Sequence, residues 1–167
     1  VLDTGDEVFR GRTVVIATGA VPRTLGVPGE EELVGRGVHY CAACDGAFYR
    51  DKTVAVVGGG NSAAADALTL SRIARKVYLI HRRDSLRATK VYHEMLMSAP
   101  NVEFCWNSTV SALQHGERLT GLRLREVQTG AERDIACDGV FVSVGRVPAT
   151  ELFREELTLD ESGYIVA

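Results

Sequence analysis

Apolar residues along this chain follow two patterns, and the alternation between them outlines a fold. In "TVAVV" (53–57) and "KVYLI" (76–80), β-branched and aliphatic residues run almost unbroken, as in strands buried on both faces. Between them "NSAAADALTLS" (61–71) spaces alanine and leucine at helical intervals. Together they predict one βαβ unit over 51–83 with its two strands parallel. A second helix over 88–99, closed by Pro100, and the strand "NVEFCWN" continue the alternation.

After Asn107 the helical spacing stops. "TVSALQH", "LTGLRLREV" and "RDIAC", separated by the polar turns "GER" and "QTGAE", predict an antiparallel meander. "DGVFVSVG" (138–145) then returns to the parallel sheet. Near the start, "RTVVIATGA" (12–20) predicts a buried strand running into a tight turn. Residues 21–37, rich in breakers and without a period, read as a hinge or linker, and Pro148 marks a second one.

Composition narrows the partners. The chain has 167 residues, 46% hydrophobic and 25% charged, enough for about one domain with its own core. A net charge of −3, with arginines dispersed except in "HRRDSLR", provides no basic field, so no nucleic acid is expected. No apolar run reaches the ~18 residues of a membrane span, so the chain is expected to have no membrane partner and to be cytoplasmic. Its four cysteines are too few for a disulfide scaffold and suit a reducing compartment.

The turn inside the βαβ unit carries candidate chemistry. In "VVGGGNSA", Gly58, Gly60 and Ala63 stand at G-x-G-x-x-A after a strand and at a helix start, the arrangement that admits a dinucleotide pyrophosphate. Asn61 and Ser62 add side-chain donors; the bland alternative is a turn that binds nothing. About 20 residues further on, NAD-binding units carry an acid for the ribose hydroxyl, whereas an arginine accommodates a 2′-phosphate. Here stand His81, Arg82 and Arg83, then Arg87, which favours NADP over NAD by charge and by bidentate geometry. The competing reading is a solvated turn in which Asp84 pairs with Arg83 or Arg87.

"CAACDG" places Cys41 and Cys44 three positions apart, which suits half of a zinc site, an inert pair or a redox disulfide. Zinc needs two more ligands, but Cys105 and Cys137 stand alone in separate predicted strands. At a helix N-terminus such a pair gains thiolate stabilisation. Asp45, the nearest carboxyl, is a candidate proton donor to a leaving thiolate, or simply a helix-start carboxylate.

"ATGA", "CAACDG", "GGGNSA", "HRRDSLRA" and "GRVPAT", in this order, resemble the low-molecular-weight thioredoxin reductases over essentially the whole chain. The resemblance implies an α/β, Rossmann-like three-layer FAD/NAD(P)-binding fold, a parallel sheet with helices on one face and the meander on the other. It implies four segments: 1–20, the C-terminal edge of a first FAD-domain segment; 21–37, a hinge; 38–147, an NADPH-binding domain carrying the C-x-x-C; and 148–167, a return linker and the start of a second FAD-domain segment. Electrons would pass from NADPH to FAD to the Cys41–Cys44 disulfide and on to thioredoxin. Cys44 would face the flavin, Cys41 would attack the substrate disulfide and Asp45 would be the acid.

By the same resemblance Gly59, Asn61, Ser62 and Ala63 would hold the pyrophosphate, alongside Gly58 and Gly60. His81, Arg82, Arg83 and Arg87 would surround the adenosine phosphate, and Val144, Gly145 and Arg146 would border the nicotinamide. The intact protein would be a homodimer without a metal. Two departures stand out. The helix after the glycine loop has Ala65 before a single acid, Asp66, where family members commonly have an acidic pair. The family's flavin-domain glycine unit and Gly-Asp segment are absent from the 167 residues, so the chain reads as an excised NADPH domain with stubs, inactive alone. Alternatives are a free-standing NADP(H)-binding module and the NADH-dependent flavoprotein reductase of a peroxiredoxin. The cysteine pair excludes the related ferredoxin–NADP reductases.

Overall fold

Strands that are apolar on both faces need cover on both faces, and this requirement organises the chain. The computed structural model describes residues 1–166, which form two compact units: Pro22–Arg146, and the two terminal stretches Val1–Val21 and from Val147 onward.

In the terminal unit, β1 (Leu2–Asp3) pairs with β2 (Val8–Phe9) as a short hairpin, in the register Leu2↔Phe9. Residues 12–19, expected as a buried strand, carry no regular structure, and Val14 and Val15 are exposed. An apolar run becomes a strand only where neighbours pair with it, and among the described residues no strand does so. A bridge between Leu159 and Ile165 closes a turn near the end.

β3 (Ala20–Pro22) leads into the larger unit, where β4 (Val38–His39) precedes α1 (Ala42–Asp45), a single turn continued by a 3₁₀ turn over Gly46–Tyr49. The predicted βαβ unit follows as β5 (Thr53–Val57), α2 (Asn61–Ser71) and β6 (Lys76–Ile80). Next come α3 (Lys90–Met97) and β7 (Val102–Cys105), then the meander β8 (Ser108–His115), β9 (Leu119–Glu126) and β10 (Glu132–Ala136). β11 (Gly139–Val142) returns to the main sheet, and β12 (Arg146–Pro148) leads out. The second helix is shorter than the 88–99 expected, because the backbone of Thr89 is extended and the helix starts only after it.

The five-stranded sheet has the order β4-β11-β5-β6-β7, all parallel. Its strands alternate between two cores. Val54 and Val56 of β5, with Val77, Leu79 and Phe141, pack against Ala63, Ala64, Ala67 and Leu70 of α2 and Leu96 of α3. The intervening Ala55 and Val57, with Ile80, Val140 and Val142, pack against Leu113, Leu122, Leu124 and Ile135 of the meander. Small alanines on the buried stripe of α2 bring that helix close to the sheet, and each fully buried Val or Leu contributes ~1.5–3 kcal/mol. The result is the three-layer α/β arrangement: helices, parallel sheet, meander.

Residues 22–37 are not a free tether. Leu33 is buried in the meander-side core. The Glu30 carboxylate, also buried, accepts from the amides of Leu25 (2.8 Å) and Gly26 (2.9 Å) and from the Tyr40 hydroxyl (2.9 Å). Burial and the Glu30 charge push the Tyr40 phenol up to about 12.

Candidate functional site

The glycine loop leaves β5 at Val57. Gly58 has φ +149°, and a side chain there would run into the Ser143 carbonyl and the Ala63 methyl, so only glycine makes this turn. Gly60 precedes α2, with open space where a Cβ would stand. The first amides of α2 have no helical carbonyl to bond, so donors and space meet at one point. Ala63 lies buried behind the loop, where its small size permits the close approach of α2 to β5.

The loop also moors the arginine segment. The Gly59 carbonyl accepts from the amides of Arg87 (2.7 Å) and Ala88 (3.1 Å), and Asn61 Oδ1 accepts from the Thr89 amide at 2.9 Å. Asn61 thus ties the loop to 87–89, a role its sequence position did not suggest. His81, at the end of β6, lies with its ring over Gly59, where a Cβ would collide with it. It is 5% exposed, and its Nε2 has no hydrogen-bond partner. Burial lowers its pKa, and the charges of Arg87, Arg83 and Arg82 lower it further, so three guanidinium fields converge there.

Around these groups lies a cavity of about 490 Å³, within the size range of small-molecule sites. Its wall includes Gly58, Gly59, Gly60, Asn61, Ser62, His81, Arg82, Arg87, Val144 and Gly145. Arg83 and Arg146 lie outside its lining. Two contributors went unnoticed in the sequence: the Arg23–Leu25 segment and Ser108–Val110 at the start of the meander. Arg23 donates its amide to the Gly145 carbonyl at 3.0 Å, joining one side of the wall to the other. Asp66, the lone acid of α2, accepts from the Ser143 hydroxyl. Burial raises its pKa despite that bond. An orphaned buried imidazole nitrogen, open space over Gly60 and a convergent positive field fit the phosphates of a nicotinamide dinucleotide.

Cys41 and Cys44 are joined in a disulfide with Cα atoms 5.3 Å apart. Cys41 caps α1, and the Cys44 amide donates to its Sγ at 3.1 Å; Cys44 is the more exposed of the two. One helical turn supplies little dipole, so this single N–H is the local stabiliser of charge on Cys41. The Asp45 carboxylate faces inward and meets His39 Nδ1 at 3.0 Å, while His39 Nε2 lies 2.7 Å from the Tyr49 hydroxyl. His39 and Tyr49 are both buried, and neither stood out in the sequence.

Cys105 and Cys137 are free, buried thiols. Burial pushes Cys137 up to about 12 and raises Cys105, which Arg133 contacts at 3.1 Å. Among the described residues no group of three His, Cys, Asp or Glu side chains is placed to hold a metal, and no helix is long and apolar enough to cross a membrane. The thiols should therefore differ in chemistry. After mild reduction at neutral pH, Cys41 and Cys44 are expected to alkylate at least about tenfold faster than Cys105 and Cys137, because the thiolate is the nucleophile. Mass spectrometry after timed quenching reads this directly; equal labelling of all four would contradict it.

A disulfide and a dinucleotide-type glycine loop in one α/β unit are the two marks of proteins that couple nicotinamide nucleotides to thiol chemistry. The family model described as pyridine nucleotide-disulphide oxidoreductase matches residues 2–167, and the chain belongs to that family. It is 46% identical over 165 residues to a thioredoxin reductase of Streptomyces clavuligerus, across 99% of this chain and 51% of that protein. A thioredoxin reductase of Treponema pallidum is 44% identical, over 99% of this chain and 53% of its own. Among solved structures, the thioredoxin reductase of Lactococcus lactis superposes with a TM-score of 0.90 at 37% identity, over 98% of this chain and 54% of that one. The chain spans about half the length of these curated relatives.

Proposed function

We propose that this chain is the NADPH-binding, disulfide-bearing portion of an NADPH-dependent thioredoxin-disulfide reductase, a cytoplasmic flavoprotein that acts as a homodimer. The observation that carries the reading is the convergence of Arg82, Arg87 and the orphaned His81 Nε2 on a glycine-loop cavity, in the same unit as an accessible Cys41–Cys44 disulfide. Residues 1–20 and 148–167 would be the inner edges of a flavin domain, 21–37 its hinge and 38–147 the nucleotide domain.

The chain's own residues then have defined tasks. Gly58, Gly59 and Gly60 let the backbone approach the pyrophosphate, and the α2 amides with Asn61 and Ser62 face it, with Ala63 behind. Arg82 and Arg87 take the 2′-phosphate, with Arg83 adding charge, and His81 donates or accepts at Nε2. Val144, Gly145 and Arg146 border the nicotinamide. Bound FAD supplies the conversion of a hydride's electron pair into thiol chemistry. The glycine loop between β5 and α2 would be the cradle for NADPH. Cys41 attacks the substrate disulfide, Cys44 resolves the mixed disulfide, and Asp45 supplies a proton to the leaving thiolate.

The purified chain is expected to bind NADPH, to lack a flavin absorbance band and to show no NADPH-driven reduction of thioredoxin. Chemically reduced, it should pass its electron pair to oxidised thioredoxin once per molecule, and Cys41→Ser should stop that transfer. A yellow, active chain would overturn the portion reading. Failure of the reduced pair to react with thioredoxin would overturn the reductase reading.

A further inference from the structure

We propose that His39 is a positioning residue for disulfide exchange: its Nδ1–H holds the carboxyl of Asp45, the residue next to Cys44, and Tyr49 fixes the tautomer that allows it. The proposal rests on the reading of Asp45 as the proton donor.

A neutral imidazole has one donor nitrogen and one acceptor nitrogen, and here both are occupied. Nδ1 lies 3.0 Å from Asp45 Oδ2 and Nε2 lies 2.7 Å from the Tyr49 hydroxyl. Burial raises the Tyr49 pKa, so its phenol keeps its proton and donates it to Nε2. Nε2 must then accept, and the ring hydrogen is left on Nδ1, aimed at the carboxyl. Protonation of the ring would leave the Nδ1–H to Asp45 contact in place.

The ring has little freedom to do otherwise. His39 is 7% exposed, is stacked on Phe141 of β11 at 5.2 Å between centroids, and meets the Tyr49 ring edge-on at 5.3 Å. Tyr49 in turn lies against Gly139 of β11, where any Cβ would strike its ring. Support therefore runs from the central sheet through Tyr49 and His39 to a carboxyl adjacent in sequence to Cys44. An apolar residue at position 39 would stack on Phe141 equally well, but it would leave the Tyr49 hydroxyl and Asp45 unbonded.

In the step concerned, the Cys41 thiolate forms a bond to one sulfur of a substrate disulfide. The other sulfur leaves with the bonding electron pair and takes the proton of the Asp45 carboxylic acid. The carboxylate so formed is stabilised by the His39 Nδ1–H, which occupies Oδ2 and leaves Oδ1 as the oxygen that exchanges the proton. Cys44 then gives its proton to Asp45 as its sulfur attacks Cys41 Sγ, and the second product thiolate leaves and is protonated by solvent. Two electrons pass from the pair to the substrate, and His39 ends as it began.

The readout is leaving-group dependence, which a merely structural role would not move. The reduced chain is mixed with hydroxyethyl disulfide, whose basic thiolate needs a proton to leave, and with a nitrothiobenzoate disulfide, whose thiolate leaves without one. A proton donor contributes ~10²–10⁴-fold where it is needed, so, read at release of the first thiolate and before Cys44 takes part, Asp45→Asn should slow the aliphatic reaction about 100-fold and leave the aryl reaction within about twofold. His39→Gln, which reaches Tyr49 but offers no donor at the Nδ1 position, should slow only the aliphatic reaction, by about tenfold. His39→Asn, whose amide nitrogen stands where Nδ1 stood, should recover most of that loss. If Asp45→Asn is slow while His39→Gln matches the parent, or if His39→Asn is as slow as His39→Gln, the role of His39 is refuted and that of Asp45 stands. If Asp45→Asn matches the parent on both substrates, the acid reading fails and the His39 proposal fails with it. Equal slowing of both substrates by His39→Gln would mark a structural role and also refute it.

Discussion

Replacing Arg82 and Arg87 together by alanine is expected to weaken NADPH binding by about 10²–10³-fold, since each charge-assisted hydrogen bond contributes ~1.5–3 kcal/mol and the pair is not fully additive. NADH, which lacks the 2′-phosphate, should change by no more than about threefold, so the parent's preference for NADPH would largely vanish. Both residues line the cavity, whereas Arg83 does not, and Arg83→Ala should cost less than either. A second readout comes from His81. The arginine charges help hold its pKa down, so removing two of them should move it back up towards the ordinary histidine value. Nucleotide titration and the His81 ring resonances followed against pH provide the two measurements. Equal affinity of the parent for both nucleotides, or an unaltered NADPH affinity in the double variant, would refute the assignment.

Gly58→Ala is expected to destabilise the chain by about 2–6 kcal/mol, combining a strained backbone (~1–3 kcal/mol) with an overpacked contact (~1–3 kcal/mol). Its φ of +149° is one that side chains rarely adopt, and the new methyl would stand 2.7 Å from Ala63 Cβ and run into the Ser143 carbonyl. Gly60→Ala is the matched control. Its φ of −93° is ordinary and no atom lies within 4 Å of the new methyl, so stability should hold to within about 1 kcal/mol. That methyl would nonetheless project where the backbone is open, and nucleotide affinity should fall. Denaturant melts separate the two, and equal stability of the two variants would contradict the argument.

The parallel core was legible in the sequence because its signals are local. Val54 to Val57, the alanine stripe of α2 and Val77 to Ile80 each carry their pattern within a few residues, and the meander announces itself by turn spacing. The candidate site was legible only as spacing. That cysteines stand three apart, or arginines follow a strand, can be read along the chain. That Asp45 turns inward to His39 cannot, because the contact is decided by Phe141 and Gly139, nearly 100 positions away on β11. The tie from Asn61 to Thr89 crosses 28 positions and is likewise invisible in the motif. The run at 12–19 failed in the opposite sense: its apolar pattern describes a strand, but a pattern states only what a segment tolerates, and pairing is supplied by other segments.

The Gly59 carbonyl and the Asn61 side chain anchor positions 87–89 through main-chain amides, and those bonds are blind to which side chain projects from position 87. The scaffold and the specificity of the loop are therefore separable in inheritance. Mutation at 82, 83 or 87 can exchange charge without unmooring the segment, whereas mutation at 59 or 61 risks both together. If these positions set the choice of nucleotide as proposed, such a division would give a lineage a tolerant way to drift between cofactor pools, one codon at a time, while the thiol pair and the sheet that carries it stay as they are.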